Sequence, residues 1–276
     1  MATDTLKLES WGADLPAEWR TMRSAPSHGS QNMAVDASLL GAAQHHGYGV
    51  WRTYAWAQPT LSFGRNELVR AHFDAASLAS AGLHAVRRPT GGRVLLHAEE
   101  VTYSVTLPLA RHIPWIAAYS AVNHVLIAAL RSLGVPAEVA VAGDVPLMRP
   151  NGPLCFDQAA PGEIVVRGAK LVGSAVWRTR GAYLQHGSIL LEDHQERVRT
   201  ARKSLVAAPH PAAALSQCVS PAPTWHDVAT ALEHALREAV SCRHDGLLAA
   251  EPVLLDATDV ERHEVRFRDP NWLWRL

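Results

Sequence analysis

Two side chains able to do covalent chemistry sit close together near the middle of the sequence. Cys155 falls in a Gly/Pro-rich run, NGPLCFDQAAPG, and Lys170 opens the second of two apolar runs that flank a turn at Arg167-Gly168-Ala169. A thiolate is a strong nucleophile, and an amine beside it can stabilise developing charge or move protons. Loops carried on a rigid sheet are where such groups usually work. The separation, 170 − 155 = 15 residues, reaches roughly 50 Å when extended, so folding the loop back onto the lysine is sterically easy. Taken alone, a free cysteine is more often a buried structural thiol and a hairpin lysine a solvated one. The small residues of Val172-Gly173-Ser174-Ala175 point the other way, because they leave room beside the amine. Cys218 and Cys242 keep the structural reading.

A second group lies upstream. Arg87-Arg88-Pro-Thr-Gly91-Gly92-Arg93 joins strong turn chemistry to three guanidinium groups. Glycines that adopt positive φ free backbone N–H groups to meet an anion or a carbonyl, and arginine suits the same partners. Arg65 and Arg70 extend this set to five cations that are expected to form a basic landing patch for an acidic protein.

Bulk composition narrows the function classes. Lysine plus arginine equals aspartate plus glutamate at 26 each, so a nucleic-acid binder would need strong local segregation of charge. Three cysteines without a CxxC argue against a disulfide framework and for a reducing, cytoplasmic setting. The 15 histidines show no HExxH and no zinc-site spacing, so no metal is expected. An acidic opening segment without an apolar run, and no stretch of 18 apolar residues, lead us to expect neither export nor a membrane span. A single domain is expected over 1–276, with a core about 28–245 and a closing segment 246–276. A monomer is expected too, since no unpaired apolar seam stands out.

These residues need a sheet to hold them. Residues 30–43 read as a helix capped by Ser30 or Asn32. Strands are expected at 50–54, 59–64, 83–88 and 138–142. Val101, Tyr103, Val105 and Leu107 alternate with Thr102, Ser104 and Thr106, which predicts a half-buried strand. Apolar residues at helical spacing from Tyr119 to Leu133 predict a covering helix that ends at Gly134. Runs at 163–166, 170–175 and 183–191 predict a three-stranded meander, and residues 195–223 an irregular connection. Thr224 to Asp227 predicts a capping box for a late helix. The fold class is α+β, with a mixed, largely antiparallel sheet flanked by helices.

Three ordered blocks then carry a resemblance. Asn32-Met33-Ala34-Val35-Asp36, Arg87-Arg88-Pro-Thr-Gly91-Gly92 with His97, and Gly168-Ala-Lys170-Leu-Val-Gly173-Ser174-Ala175 with Gln185-His186-Gly187 resemble the biotin/lipoate ligase and octanoyltransferase superfamily. They span roughly residues 28–195. Leu154-Cys155-Phe156 ahead of the lysine looks like the LipM type of octanoyltransferase. ATP-dependent lipoate ligases usually carry Asn-Asp near that point and a third glycine where this chain has Arg93. The chain departs from the family pattern at Ala37 and Ala98, where acidic residues are usual.

The resemblance implies a biotin/lipoate ligase-like catalytic domain without a cofactor. Its expected activity is transfer of an octanoyl group from acyl carrier protein, through a thioester on Cys155, to a lysine of a lipoyl-bearing protein. Glycine cleavage H protein or a 2-oxo acid dehydrogenase subunit would be the acceptor. Lys170 is the second catalytic residue, and Arg87, Arg88, Gly91, Gly92, His97, Gly173, Ser174, His186 and Gly187 are the expected substrate-binding residues. Trp56, Phe63, Val172 and Leu184 are expected to wall the acyl slot. Two other readings stay open: an ATP-dependent lipoate ligase, which has no need of Cys155, and a non-catalytic homologue that only binds a lipoyl domain or carrier.

Overall fold

The computed structural model describes residues 15–141, 155–156, 159–203 and 212–276. The opening segment, residues 151–154 of the cysteine loop, the last residue of the strand expected at 138–142 and part of the irregular connection lie outside them. In chain order the first elements are β1 (Glu18–Arg23), α1 (Gly29–His46), β2 (Gly49–Tyr54), β3 (Thr60–Phe63), α2 (Ala75–Ser80), β4 (His84–Arg87) and β5 (Leu95–His97). The middle of the chain forms β6 (Glu100–Pro108), α3 (Trp115–Ser132), β7 (Glu138–Val139), β8 (Ile164–Val166), β9 (Ala169–Arg178) and β10 (Ala182–Leu190). Then come α4 (Arg197–Thr200), α5 (Leu215–Cys218), α6 (Trp225–Ser241), β11 (Leu247–Leu248), α7 (Ala257–Arg268) and α8 (Pro270–Leu273).

Eight strands form one sheet in the order β11-β1-β2-β6-β10-β9-β8-β7, and β4-β3-β5 form a second. In the large sheet β1 runs parallel to both β11 and β2, and every other pairing is antiparallel. This is the mixed, largely antiparallel α+β architecture that the sequence predicts. The meander sits inside it as β8-β9-β10. Its first turn places Arg167 at φ 51° and Gly168 at φ 79°, the two positive-φ residues of a tight hairpin.

The central strand departs from expectation. Val101, Tyr103, Val105 and Leu107 pack into the core under α3 and α6, as the alternation requires. Thr102, Ser104 and Thr106 are buried as well. The cause is α1, which covers that second face and sends Asn32 and Asp36 into it, both fully buried. Helix α1 also begins differently: His28 precedes it without a side-chain cap. Asn32 is occupied further in, where its amide donates to the Ser27 and Ala55 carbonyls while its Oδ1 accepts from Arg52. By contrast, the reciprocal Thr224–Asp227 capping box of α6 forms as read from the sequence.

The candidate active site

The hairpin β8-β9 fixes Lys170, and three contacts use all three of its ammonium donors. Nζ lies 2.7 Å from Glu163 Oε1, 2.8 Å from the Cys155 carbonyl oxygen and 3.7 Å from Cys155 Sγ. The lysine is 2% exposed. Burial opposes its charge, but Cys155 and Glu163 outweigh that cost and hold its pKa above the ordinary lysine value. Cys155 itself is half-buried, its N–H donating to the Val94 carbonyl. The next residue, Phe156, lies on Gly173, where an added Cβ would come within 3.1 Å of the ring. The glycine of β9 is thus what lets the cysteine turn settle onto the strand.

Cys155 stands at the wall of a narrow cavity that runs over β9, β10 and β6 towards Trp56 and Tyr54. Its mixture of Met33, Leu95 and Trp56 with a few polar groups is typical of apolar ligand slots. Two buried polar networks shape it. In the first, Asp36 accepts from Arg52 at 2.7 Å, Ser104 at 2.7 Å and Tyr54 at 3.1 Å, and pairs with His186 Nδ1 at 3.1 Å. Thr90 contacts the other nitrogen of His186 at 2.7 Å. Burial raises the pKa of Asp36, but Arg52, His186 and Ser104 together bring it below the ordinary carboxylate value. Burial lowers that of His186, with Asp36 opposing.

In the second network His97 bridges Glu100 and Ser62, each at 2.7 Å, and Ser188 donates to Glu100 at 2.8 Å. Trp56 stacks on His97 with ring centroids 3.9 Å apart while its Nε1 donates to Thr102. Both rings are therefore held rigidly, a requirement for a site that must present one shape to a ligand.

Comparison with known proteins gives the family. Residues 28–237 match the lipoyl protein ligase A/B catalytic domain. The chain belongs to that family. It is 39% identical over 186 residues to octanoyltransferase LipM of Kyrpidia tusciae, an alignment that spans 63% of this chain and 66% of the relative. Octanoyltransferase LipM of an Exiguobacterium species is 30% identical over 275 residues, 93% of this chain and 98% of the relative. These relatives place the chain on an acyltransferase branch of the lipoyl protein ligase A/B family. Among solved structures, the bi-partite lipoate protein ligase of Thermoplasma acidophilum superposes with a TM-score of 0.72 at 16% identity, covering 93% of this chain and 96% of that one. LipL1 of P. falciparum in complex with lipoate gives 0.70 at 13% identity, covering 93% and 74%. Both likenesses concern the fold.

Within the lipoyl protein ligase A/B frame, most of the residues singled out from the sequence come together. Cys155, Arg88, Gly92, His97, Gly173, Ser174, His186 and Gly187 line the cavity. Arg87 does not; its guanidinium turns away to the carbonyls of Gly64, Glu67 and Leu273. Gly91 is exposed, and its carbonyl accepts from Arg88. The basic patch expected from the arginines is corrected: Arg87, Arg88 and Arg93 are buried at 0%, 5% and 7%, and only Arg65 and Arg70 reach solvent. Arg88 instead ties Ser62 to the Gly91 and Arg93 carbonyls, so this cation braces the loop.

The expected acyl walls are corrected too. Trp56 is a wall, but Phe63 packs with Phe73, Val172 enters the main core and Leu184 lies against Leu40 and Ala43. Sequence reasoning missed Glu163. The sequence carries no plain signal for it, because Glu163 stands just before β8 and the register of the hairpin shifts between Ile164 and Val165.

Proposed function

We propose that this chain transfers an octanoyl group from acyl carrier protein to a lysine of a lipoyl-domain protein through a thioester on Cys155. The reading rests on one observation above all: a buried ammonium 3.7 Å from the only described cavity-lining thiol. In the first step the Cys155 thiolate attacks the thioester carbonyl of the donor. A new S–C bond forms, the carrier's sulfur leaves with the electron pair and takes up a proton. In the second, the acceptor amine attacks the acyl-enzyme. An amide bond forms, the Cys155 sulfur departs as thiolate and the amine's surplus proton is released. Splitting acyl transfer this way replaces one hard step by two easier ones.

Lys170 stabilises negative charge on the sulfur and on the oxyanion, and Glu163 with the Cys155 carbonyl holds it in place. The cavity takes the acyl chain, with the Asp36 and His97 networks fixing its walls. The strand order supports the fit. From β9 to Trp56 beyond β2 is about three strand spacings, or roughly 14 Å, while eight carbons joined by bonds of about 1.5 Å extend over roughly 10 Å.

The test is intact-protein mass spectrometry after mixing with octanoyl-acyl carrier protein in the absence of ATP. A single octanoyl adduct, removed by hydroxylamine and missing from Cys155→Ser, is the expected result. A wild-type chain that stays unmodified, yet loads its acceptor when given lipoate and ATP, would refute the transferase reading.

A further inference from the structure

Three arginines gather just outside the cavity with their charges unspent. Arg65 follows β3, Arg266 lies on α7 and Arg275 follows α8. The guanidiniums of Arg266 and Arg275 lie 4.0 and 4.3 Å from the ring centre of Trp272, and that of Arg65 lies 5.4 Å from the ring centre of Trp177. They are close enough to repel: beyond the effect of burial, Arg65 and Arg275 lower the pKa of Arg266, and Arg65 lowers that of Arg275. Among the described residues the guanidiniums of Arg65 and Arg266 make no hydrogen bond or ion pair. Arg275 donates to the Arg65 carbonyl and the Asn66 amide oxygen, and its Nε is buried without a partner. The acids nearest to them in sequence are engaged elsewhere. Glu67 accepts from the amides of Gly64 and Val94, Glu264 pairs with Arg268, and Asp269 accepts from the Asn271 amide.

The cluster stands where the loop over the cavity meets the strand beneath it. The Arg65 amide donates to the Thr90 carbonyl, two residues before Gly92, which lines the cavity. On the strand side, Gly173, Ala175 and Trp177 share one face of β9 by alternation, and the first two of these also line it. Cys155 is at the Gly173 end, since Phe156 lies on that glycine, and Arg65 is at the Trp177 end. Four residues of strand separate the two, roughly 13 Å.

We propose that Arg65, Arg266 and Arg275 hold the phosphodiester of the phosphopantetheine arm on which the donor carries its acyl group. The inference rests on the acyl-transfer reading above and gives the donor its line of approach. Arginine forks suit phosphate oxygens, and a cluster without a carboxylate among its partners favours an anion. The phosphodiester is the one anion that a carrier-bound thioester keeps at a set reach from its sulfur. About thirteen bonds of about 1.5 Å join the two, and extended they cover roughly 16 Å. With the sulfur at Cys155, the arm then runs along β9 to the arginines, while the acyl chain crosses the strands towards Trp56.

The experiment compares two small thioesters, octanoyl-pantetheine and octanoyl-phosphopantetheine, as donors to Cys155 of the full chain, with Arg65→Gln combined with Arg266→Gln as the variant. The wild type is expected to load from the phosphorylated donor at least tenfold more efficiently, and in the variant that preference should fall below threefold. Taking the ratio within each protein cancels any general loss of folded enzyme. Equal loading from both donors by the wild type, or a preference that survives in the variant, would overturn the proposal. If loading by octanoyl-acyl carrier protein needs the arginines while the small donors load equally, the cluster meets carboxylates of the carrier and the phosphate assignment falls. Calorimetric titration with phosphopantetheine itself needs no acyl transfer, and the variant should raise its Kd at least tenfold. A wild type that forms no thioester from any donor, yet binds phosphopantetheine through these arginines, would end the acyl-transfer reading and keep the phosphate site; absence of binding would remove the site.

Discussion

Lys170 carries the sharpest expectation at the scale of single residues, because each of its three donors has a partner and one of those partners is the sulfur. Lys170→Met removes the cation without much change in length. Single-turnover loading of Cys155 should fall about 10²–10³-fold, the usual cost of losing one positioned oxyanion stabiliser. Stopped-flow loading with octanoyl-acyl carrier protein checks this, and a loss under threefold would remove Lys170 from the chemistry. His186 makes a different prediction, about stability. Burial holds its pKa below the ordinary value, so below pH 6.5 the unfolded chain takes up a proton that the folded chain refuses. Stability should therefore decline as pH falls through 6.5 and level off beneath the folded pKa, by at most about 1.4 kcal/mol per pH unit for this one group. Asp36, whose pKa is lowered, acts only below about pH 3.8 and does not enter that window. Urea denaturation between pH 5 and 7 should show a shallower slope in His186→Asn; equal slopes would assign the effect to other histidines.

At the scale of elements, the site depends on segments that pass unusually close to one another. A Cβ at Gly64, where β3 ends, would stand 1.9 Å from the Gly92 carbonyl oxygen, a backbone atom that cannot swing aside. Gly64→Ala should therefore cost at least about 3 kcal/mol, the upper end of ordinary overpacking, and displace the loop braced by Arg88. Gly41, exposed in the interior of α1 with nothing within 4 Å of an added Cβ, is the control: its change to Ala should stabilise by about 0.5–1 kcal/mol. Thermal denaturation of both variants decides the matter. Much at this scale was legible beforehand, for definite reasons. The hairpin at Arg167-Gly168, the alternation from Val101 and the Thr224 capping box each rest on local chemistry that tertiary structure did not override. Buried polar groups were the blind spot. Nothing local in the sequence says that Arg88 will satisfy the carbonyls of its own loop, or that Asp36 on a helix will meet Arg52 on a strand and His186 from 150 residues away. The arginines were read as solvent-facing because lone charges usually are, whereas Arg87 and Arg88 are enclosed by carbonyl oxygens.

For the whole molecule, the last thirty residues act on the site without touching it. Helix α7 packs along α1, and the chain then crosses to the small sheet, where Trp272 Nε1 donates to the Arg87 carbonyl and Arg87 Nε donates to Leu273. The Leu276 carbonyl accepts from the amides of Val69 and Arg70, and the guanidiniums of Arg266 and Arg275 lie 4.0 and 4.3 Å from the Trp272 ring centre. Arg87 thus links this segment to the Gly64–Glu67 turn, which in turn shares backbone bonds with the loop over the cavity: the Arg65 amide donates to Thr90, and Arg88 to Phe63. Burial and the neighbouring Arg275 pull the Arg87 pKa down to about 10, still well above neutrality, so the group stays charged and its carbonyl partners are needed to keep it inside. If that chain of contacts is mechanical, Trp272→Ala should cost about 2–3 kcal/mol, somewhat less than a fully buried tryptophan would. Hydrogen exchange should quicken at residues 64–70 and 87–93 while the β8-β9 hairpin keeps its protection. Uniform loss of protection would mean that the segment only adds stability. Loss confined to those two stretches would show that it holds the cavity loop shut from the opposite end of the sequence.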